Sequence, residues 1–297
     1  ALRNFMDKIK PYFEKGGKLE KLHSVYDGFE TFLFVPTTTS PKYGSHIHDP
    51  VDTKRTMSTV IVALLPALLF GMYNVGYQHY LATGQDVNFW TEFLFGFLAV
   101  LPYILVSYIV GLGIEFIGAQ IRGEEIQEGF LVTGFLIPLI IPINTPLWMV
   151  AIATAFAVIF TKEVFGGTGM NIFNVALVAR AFLFFAYPTH MSGDAVWVRT
   201  GTALGFGGGS VLDAFSGATP LGQIATASTS IPNITDTFGH SLGFWEGFIG
   251  LIPGSVGETS KIAILLGAVI LLMTSVASWK TMLSVFIVQA FSLSKNF

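Results

Sequence analysis

Asp213, Ser216, Gly217, Ala218 and Thr219 belong to the run Asp-Ala-Phe-Ser-Gly-Ala-Thr, which sets a hydroxyl nucleophile among small residues in a polar stretch of an otherwise apolar chain. Gly217 and Ala218 leave room beside the Thr219 hydroxyl, Asp213 supplies a carboxylate for a nearby cation or hydroxyl, and Pro220 stiffens the next turn of chain. This arrangement suits covalent attachment of a group to Thr219. The same residues also suit a plainer role, a Ser/Thr turn capping a short helix that starts near Pro220.

A second set lies upstream. Gly166, Gly167 and Gly169 with Thr168 make a glycine cluster, but it is no complete dinucleotide fingerprint and no strand pattern precedes it. It serves either close helix contact or a ligand. Asn171 and Asn174 are three apart, which predicts one helix face carrying two amides that can each donate to a carbonyl and accept from an N–H. Arg180, deep in the same apolar run, needs a partner, either a structural carbonyl or carboxylate or part of a ligand site. Glu115 near the end of another apolar run must pair, neutralise or bind a cation, and its oxygens suit a hard ion such as Na⁺. The alternative is an interfacial carboxylate reaching water. His46, His48 and Asp49 have metal-ligand types, yet nothing completes a ligand set.

These groups must be positioned by membrane helices. Apolar residues make up 52% of the 297, charged residues only 12%, and Phe (28) far outnumbers Tyr (9), which excludes an ordinary soluble domain. With no Cys there is no disulfide framework, thiolate zinc site or cysteine-held iron–sulfur cluster in this chain. A near-neutral charge with the basic residues mostly at one end gives nucleic-acid binding little support. The N-terminus begins amphipathic and charged rather than as a cleavable signal sequence. The expected fold is an all-α polytopic bundle, with spans over 57–74, 89–118, 129–142, 147–160, 171–187, 261–277 and the start of another over 281–293. Residues 244–253 are too short to cross and read as re-entrant.

Nine of the sixteen basic residues precede the first span, which places that end in the cytoplasm. Alternation then puts Arg122, Lys162 and Lys280 inside and the whole loop 188–243, with Thr219, outside. Phe5, Met6, Ile9 and Phe13 share one side of a short amphipathic helix limited by Pro11, an interfacial anchor or a surface at quinone depth. The expected organisation is a cytoplasmic segment 1–55, a first membrane repeat 56–187, an extracytoplasmic loop 188–243, and an incomplete second repeat 244–297.

With those residues in view, the chain resembles the B subunit of the sodium-translocating NADH:quinone oxidoreductase and, more distantly, the D subunit of the Rnf complex. Asp213 to Thr219 matches the family motif Asp-x-x-Ser/Thr-Gly-Ala-Thr at every specified place. The stretches Lys162 to Gly169, Ala181 to Pro188, Ile252 to Ser255 and Ala277 to Trp279 extend the resemblance over nearly the whole chain. Val175 stands where the family pattern has Pro, and Leu112 follows Gly111 where a second glycine is typical.

The resemblance implies FMN joined by a flavin transferase through its phosphate to Thr219, and noncovalent riboflavin near Asn171, Asn174, Gly167 and Thr168. It also implies a quinone pocket at Gly111, Glu128, Gly129 and Phe130, and sodium uptake at Glu115. It further implies inverted five-helix repeats of transporter type and a place in the bacterial inner membrane. Partner subunits, one of them an extracytoplasmic FMN subunit, would supply electrons, with NADH oxidised elsewhere in the complex. A solute transporter or a structural scaffold would share the helices but carry no covalent flavin.

Overall fold

The computed structural model describes residues 2–13, 17, 26, 53–122, 129–213, 215–226 and 234–294. Glu128, Ala214 and the His46, His48, Asp49 cluster lie outside them. Helix α1 runs over Leu2–Phe13, α2 over Thr53–Thr83, α3 over Phe89–Arg122, α4 over Phe130–Ile140 and α5 over Leu147–Thr161. After a 3₁₀ turn at Glu163–Phe165 come α6 (Val175–Ala186), a second such turn at Pro188–His190, α7 (Pro220–Thr226), α8 (Phe244–Ile249), α9 (Lys261–Met273) and α10 (Trp279–Ser294). Among the described residues extended pairing is confined to two isolated bridges, Ala203 with Phe206 and Thr235 with Ser241. The chain is all-α. Among the described residues three helical stretches, Arg55–Thr83, Phe89–Arg122 and Leu147–Phe165, are long and apolar enough to cross a membrane.

Helix α3 has 34 residues, about 51 Å at 1.5 Å per residue, well beyond a hydrocarbon core of about 30 Å. Helices α4, α6 and α9 are too short to cross such a core unaided, and α4 and α6 pack against their longer neighbours. In lipid no solvent-exclusion force drives helix against helix, so close approach through small residues matters. A side chain at Gly96 of α3 would run into the Met72 backbone of α2, and one at Gly76 of α2 into the Glu92 backbone of α3. These reciprocal glycines hold the α2–α3 pair together. Phe95, Phe130, Ile137, Val150, Val158 and Leu183 fill the core between α3, α4, α5 and α6.

Two boundaries differ from the sequence expectation. Helix α2 continues past Asn74 to Thr83, because its polar final turns are covered by other chain segments. Asn74 Nδ2 donates to Ile252 O at 2.9 Å, and the fully buried His79 ring stacks on Phe95 at 3.8 Å. His79 Nδ1 lies 2.7 Å from Arg199 O, and its Nε2 accepts from Gly208 N at 3.1 Å. The second correction is the expected span from Asn171. The helix begins at Val175, so Asn171 and Asn174 do not share a helix face: Asn171 precedes the helix and Asn174 caps it.

The turn between α2 and α3, the turn 141–146 and the loop after α6 come together at one end of the bundle. Leu212 N donates to Ala82 O at 2.9 Å, and Asn144 Nδ2 donates to the carbonyls of Ala195 and Val198, each at 2.7 Å. The 162–170 segment meets the end of α3 and the start of α4 at the other. The structure therefore separates the candidate residues into two groups, one at each end.

Candidate functional site

At the loop end, Thr219 is the residue before α7. Its Oγ1 accepts from Gly222 N at 3.0 Å, and its carbonyl accepts from Gln223 N at 3.0 Å. Thr219 thus caps α7, the plainer of the two sequence readings. That contact uses one lone pair of the oxygen and leaves its proton uncommitted, so the cap does not prevent substitution on the hydroxyl.

The residues around Thr219 are held from both sides. Ser216 N donates to Thr237 O at 2.9 Å, and Ser216 Oγ accepts from Ala218 N at 3.3 Å. Gly217 is buried, and a side chain there would strike Asp194 O. Gln223 Nε2 donates to Thr235 O, and its Oε1 accepts from Thr235 N, both at 2.8 Å. Phe215 meets Phe238 edge to face at 6.2 Å. Asp213 is exposed on a turn. The loop is consequently an ordered platform with a half-buried hydroxyl, and Gln223, which fastens α7 to the 234–242 hairpin, is a positioning residue that no spacing in the sequence marks.

The hairpin has its own electrostatic lock. Burial opposes ionisation of Asp236, but the N–H groups of Phe238 and His240 and the His240 ring outweigh it and hold the carboxyl below its usual range.

At the opposite end, Glu115 of α3 and Lys162, just after α5, form a buried ion pair, with side chains 5% and 6% exposed. Beside it Arg122 Nη1 lies 2.7 Å from Glu163 Oε2. Lys162 is the residue sequence reasoning missed. It lies 47 positions from Glu115, and the only signal was that each is a charge bordering an apolar run.

Gly111 and Phe130, expected together at a quinone pocket, are in contact: a side chain on Gly111 would fall inside the Phe130 ring. Phe130 is wholly buried, with Tyr108 edge to face at 6.3 Å. The ring packs α4 onto α3 and is no open stacking surface. Gly129 adjoins Thr168, whose side chain occupies the space a Cβ on Gly129 would need. The glycine loop and the start of α4, which the resemblance links to two different ligands, therefore touch.

The two amides are partly committed. Asn174 Oδ1 accepts from Leu177 N at 3.2 Å as the α6 cap, while Asn171 Oδ1 accepts from Gly169 N at 3.3 Å and its Nδ2 donates to Phe173 O at 3.0 Å. Both residues are exposed, amid the exposed side chains of Phe165, Met170, Ile172, Phe173 and Leu177. Thr168 Oγ1, by contrast, is buried without a hydrogen-bond partner. An apolar surface of this kind beside an unsatisfied polar atom is what a planar ligand or a partner would cover. Arg180 finds a carboxylate, Glu258, with Nη1 to Oε2 at 4.0 Å. Among the described residues no three His, Asp or Glu side chains gather as a metal site.

Residues 40–295 match the model of the NQR2, RnfD, RnfE family. The B subunit of the Na(+)-translocating NADH-quinone reductase of Chromohalobacter salexigens is 40% identical over 98% of this chain and 71% of its own length. The proteins of the same name from Ectopseudomonas mendocina and Azotobacter vinelandii are 42% and 38% identical, over 94% and 97% of this chain and 71% and 72% of theirs.

Proposed function

Since the chain belongs to the NQR2, RnfD, RnfE family, we propose that it is the membrane B subunit of a sodium-translocating NADH:quinone reductase and carries FMN as a phosphoester on Thr219. The observation that carries this reading is the half-buried Thr219 hydroxyl, with its proton uncommitted, on a platform fixed by Gly217, Gln223 and the 234–242 hairpin. Gly217 lets the chain close against the Asp194 carbonyl where any side chain would clash, and Ser216 and Ala218 give a flavin transferase a small-residue approach.

The second flavin, riboflavin, fits the opposite end. Thr168 Oγ1 is an orphaned buried polar atom, Asn174 retains its Nδ2 donor, and Phe165 and Phe173 offer apolar faces. The flavins, when bound, supply electron transfer between the partner that oxidises NADH and quinone. This chain's residues do the rest: they hold two redox groups at opposite ends of the bundle and exclude water between them. Gly129 against Thr168 places the proposed riboflavin residues next to the proposed quinone residues Gly111, Gly129 and Phe130, where the Phe130 ring must swing aside for quinone to stack.

Sodium ions are cargo rather than cofactor. Glu115 is the proposed carboxylate on their path, and in this structure Lys162 occupies it, so Na⁺ binding there requires the ammonium to withdraw. The crowding of basic residues before α2 supports a cytoplasmic N-terminus, with Thr219 on the far side of a bacterial inner membrane facing an FMN-bearing partner. Thr219→Ala in a host that supplies the transferase tests the reading. In-gel fluorescence of the denatured chain should vanish, and persistence of that fluorescence defeats the assignment.

A further inference from the structure

A cavity of about 370 Å³ opens at the loop end between α3, the start of α5 and the 199–204 segment. It lies among Tyr103, Asn144, Thr145, Arg199 and, at its edge, Leu98 and Leu204. At about 30 Å³ per water its volume equals about a dozen waters, far more than one structural water needs.

Its chemistry has one sign. Arg199 directs Nε and Nη2 at the Thr202 carbonyl, at 3.1 and 2.8 Å, and its guanidinium also meets the Tyr103 hydroxyl, so its partners are neutral and its charge stays uncompensated. No carboxylate lines the cavity, and none pairs with Arg199 among the described residues. Thr145 is 1% exposed, and its Oγ1 has no hydrogen-bond partner. The wall continues through Pro146 and Leu147 into the N-terminus of the 15-residue α5, where no side chain caps the helix and, with Met149 N and Val150 N bonded to Pro146 O, the N–H groups of Leu147 and Trp148 are left over. A cation without a carboxylate, an uncapped helix N-terminus and a residue with an unsatisfied buried hydroxyl line one space that no anionic side chain enters.

The rim is apolar. Leu98 and Pro102 are half-buried on α3, and Leu147 and Leu204 are exposed, Leu204 with its backbone at φ +49°. From this combination we infer that the cavity binds a phosphate-type oxyanion, with Arg199 and the α5 N-terminus on the phosphate. The rim favours a phospholipid source, with acyl chains leaving past Leu98, Leu147 and Leu204; free phosphate shares the same headgroup chemistry. The site is independent of the flavin reading, since none of its residues belongs to the Thr219 platform or the amide loop.

The test uses the assembled complex, delipidated in non-ionic detergent and titrated separately with short-chain phosphatidylglycerol, short-chain phosphatidylcholine and inorganic phosphate, with bound molecules counted by native mass spectrometry. Wild type should retain phosphatidylglycerol at least tenfold more tightly than phosphatidylcholine and lose one bound copy in Arg199→Gln. Arg199→Lys should restore part of the loss. Retention of inorganic phosphate in place of the lipid, again lost in Arg199→Gln, assigns the same site to the free anion. Equal retention of both lipids with no phosphate bound, or equal anion counts in wild type and Arg199→Gln, overturns the inference. Should Arg199→Gln fail to assemble because its loop bonds are lost, Thr145→Val decides. It leaves Arg199 in place and should weaken anion retention several-fold, and unchanged retention overturns the site.

Discussion

Lys162 is buried against Glu115, an ion pair between the last turns of α3 and the residue that ends α5. Removing one partner of such a pair strands a charge, at a cost of about 3 to 5 kcal/mol, whereas removing both is far milder. Lys162→Met should therefore lower the unfolding midpoint of the detergent-solubilised complex more than the double variant Lys162→Met, Glu115→Gln. Additive losses would show that the two side chains are not coupled. If Na⁺ must displace the ammonium, Lys162→Met should also lower the sodium concentration needed for half-maximal turnover.

Gly111 faces the Phe130 ring with no space for a methyl group. Gly111→Ala should destabilise the α3–α4 contact by about 1 to 3 kcal/mol, the usual range for overpacking. Adding Phe130→Leu should recover much of that loss. A Gly111→Ala protein as stable as wild type, measured by thermal unfolding, would mean that α4 sits farther from α3 than the structure shows.

Asn174 has two candidate roles that one pair of variants separates. Its Oδ1 caps α6 through Leu177 N, and its Nδ2 is the donor proposed for riboflavin. Asn174→Asp keeps the cap and removes the donor, while Asn174→Ala removes both and should cost about 1 kcal/mol of helix stability. Extracted riboflavin should fall in both variants and thermal stability in the second alone. Unchanged riboflavin in Asn174→Asp would leave the residue as a cap only.

The sequence makes some of this legible and hides the rest for physical reasons. The long helices are legible because a bilayer imposes apolar length, and the Thr219 motif is legible because its residues are consecutive. The start of α6 is misread because Ile172 and Phe173 extend the apolar run upstream of Val175, although Asn174 before a helical apolar stretch is itself a capping signal. The end of α2 is misread because Asn74, Gln78 and His79 look like an interface, yet they are buried. Asn74 and His79 are buried by partners more than a hundred residues away. Pairings at that separation, and the one 47 positions apart between Glu115 and Lys162, leave no periodicity to read.

Asp236 gives the Thr219 platform a pH dependence. Its folded carboxyl lies below the usual range of about 3.9. The lock is thus fully present above that value and is lost as pH falls through the lower folded one. Amide protection at Phe238 and His240, corrected for intrinsic exchange, should hold from neutral pH to about 4 and collapse below it. Asp236→Asn should flatten the profile. Protection that fades between pH 7 and 5 would assign the lock to another group.

Peptide mapping by mass spectrometry of the chain purified from a host with its flavin transferase places the flavin directly. The proposal predicts FMN on the peptide containing Asp213 to Thr219, with fragmentation assigning the phosphoester to Thr219 and no flavin on Ser216. An unmodified Thr219 in protein from that host, or flavin on any other residue, would contradict it.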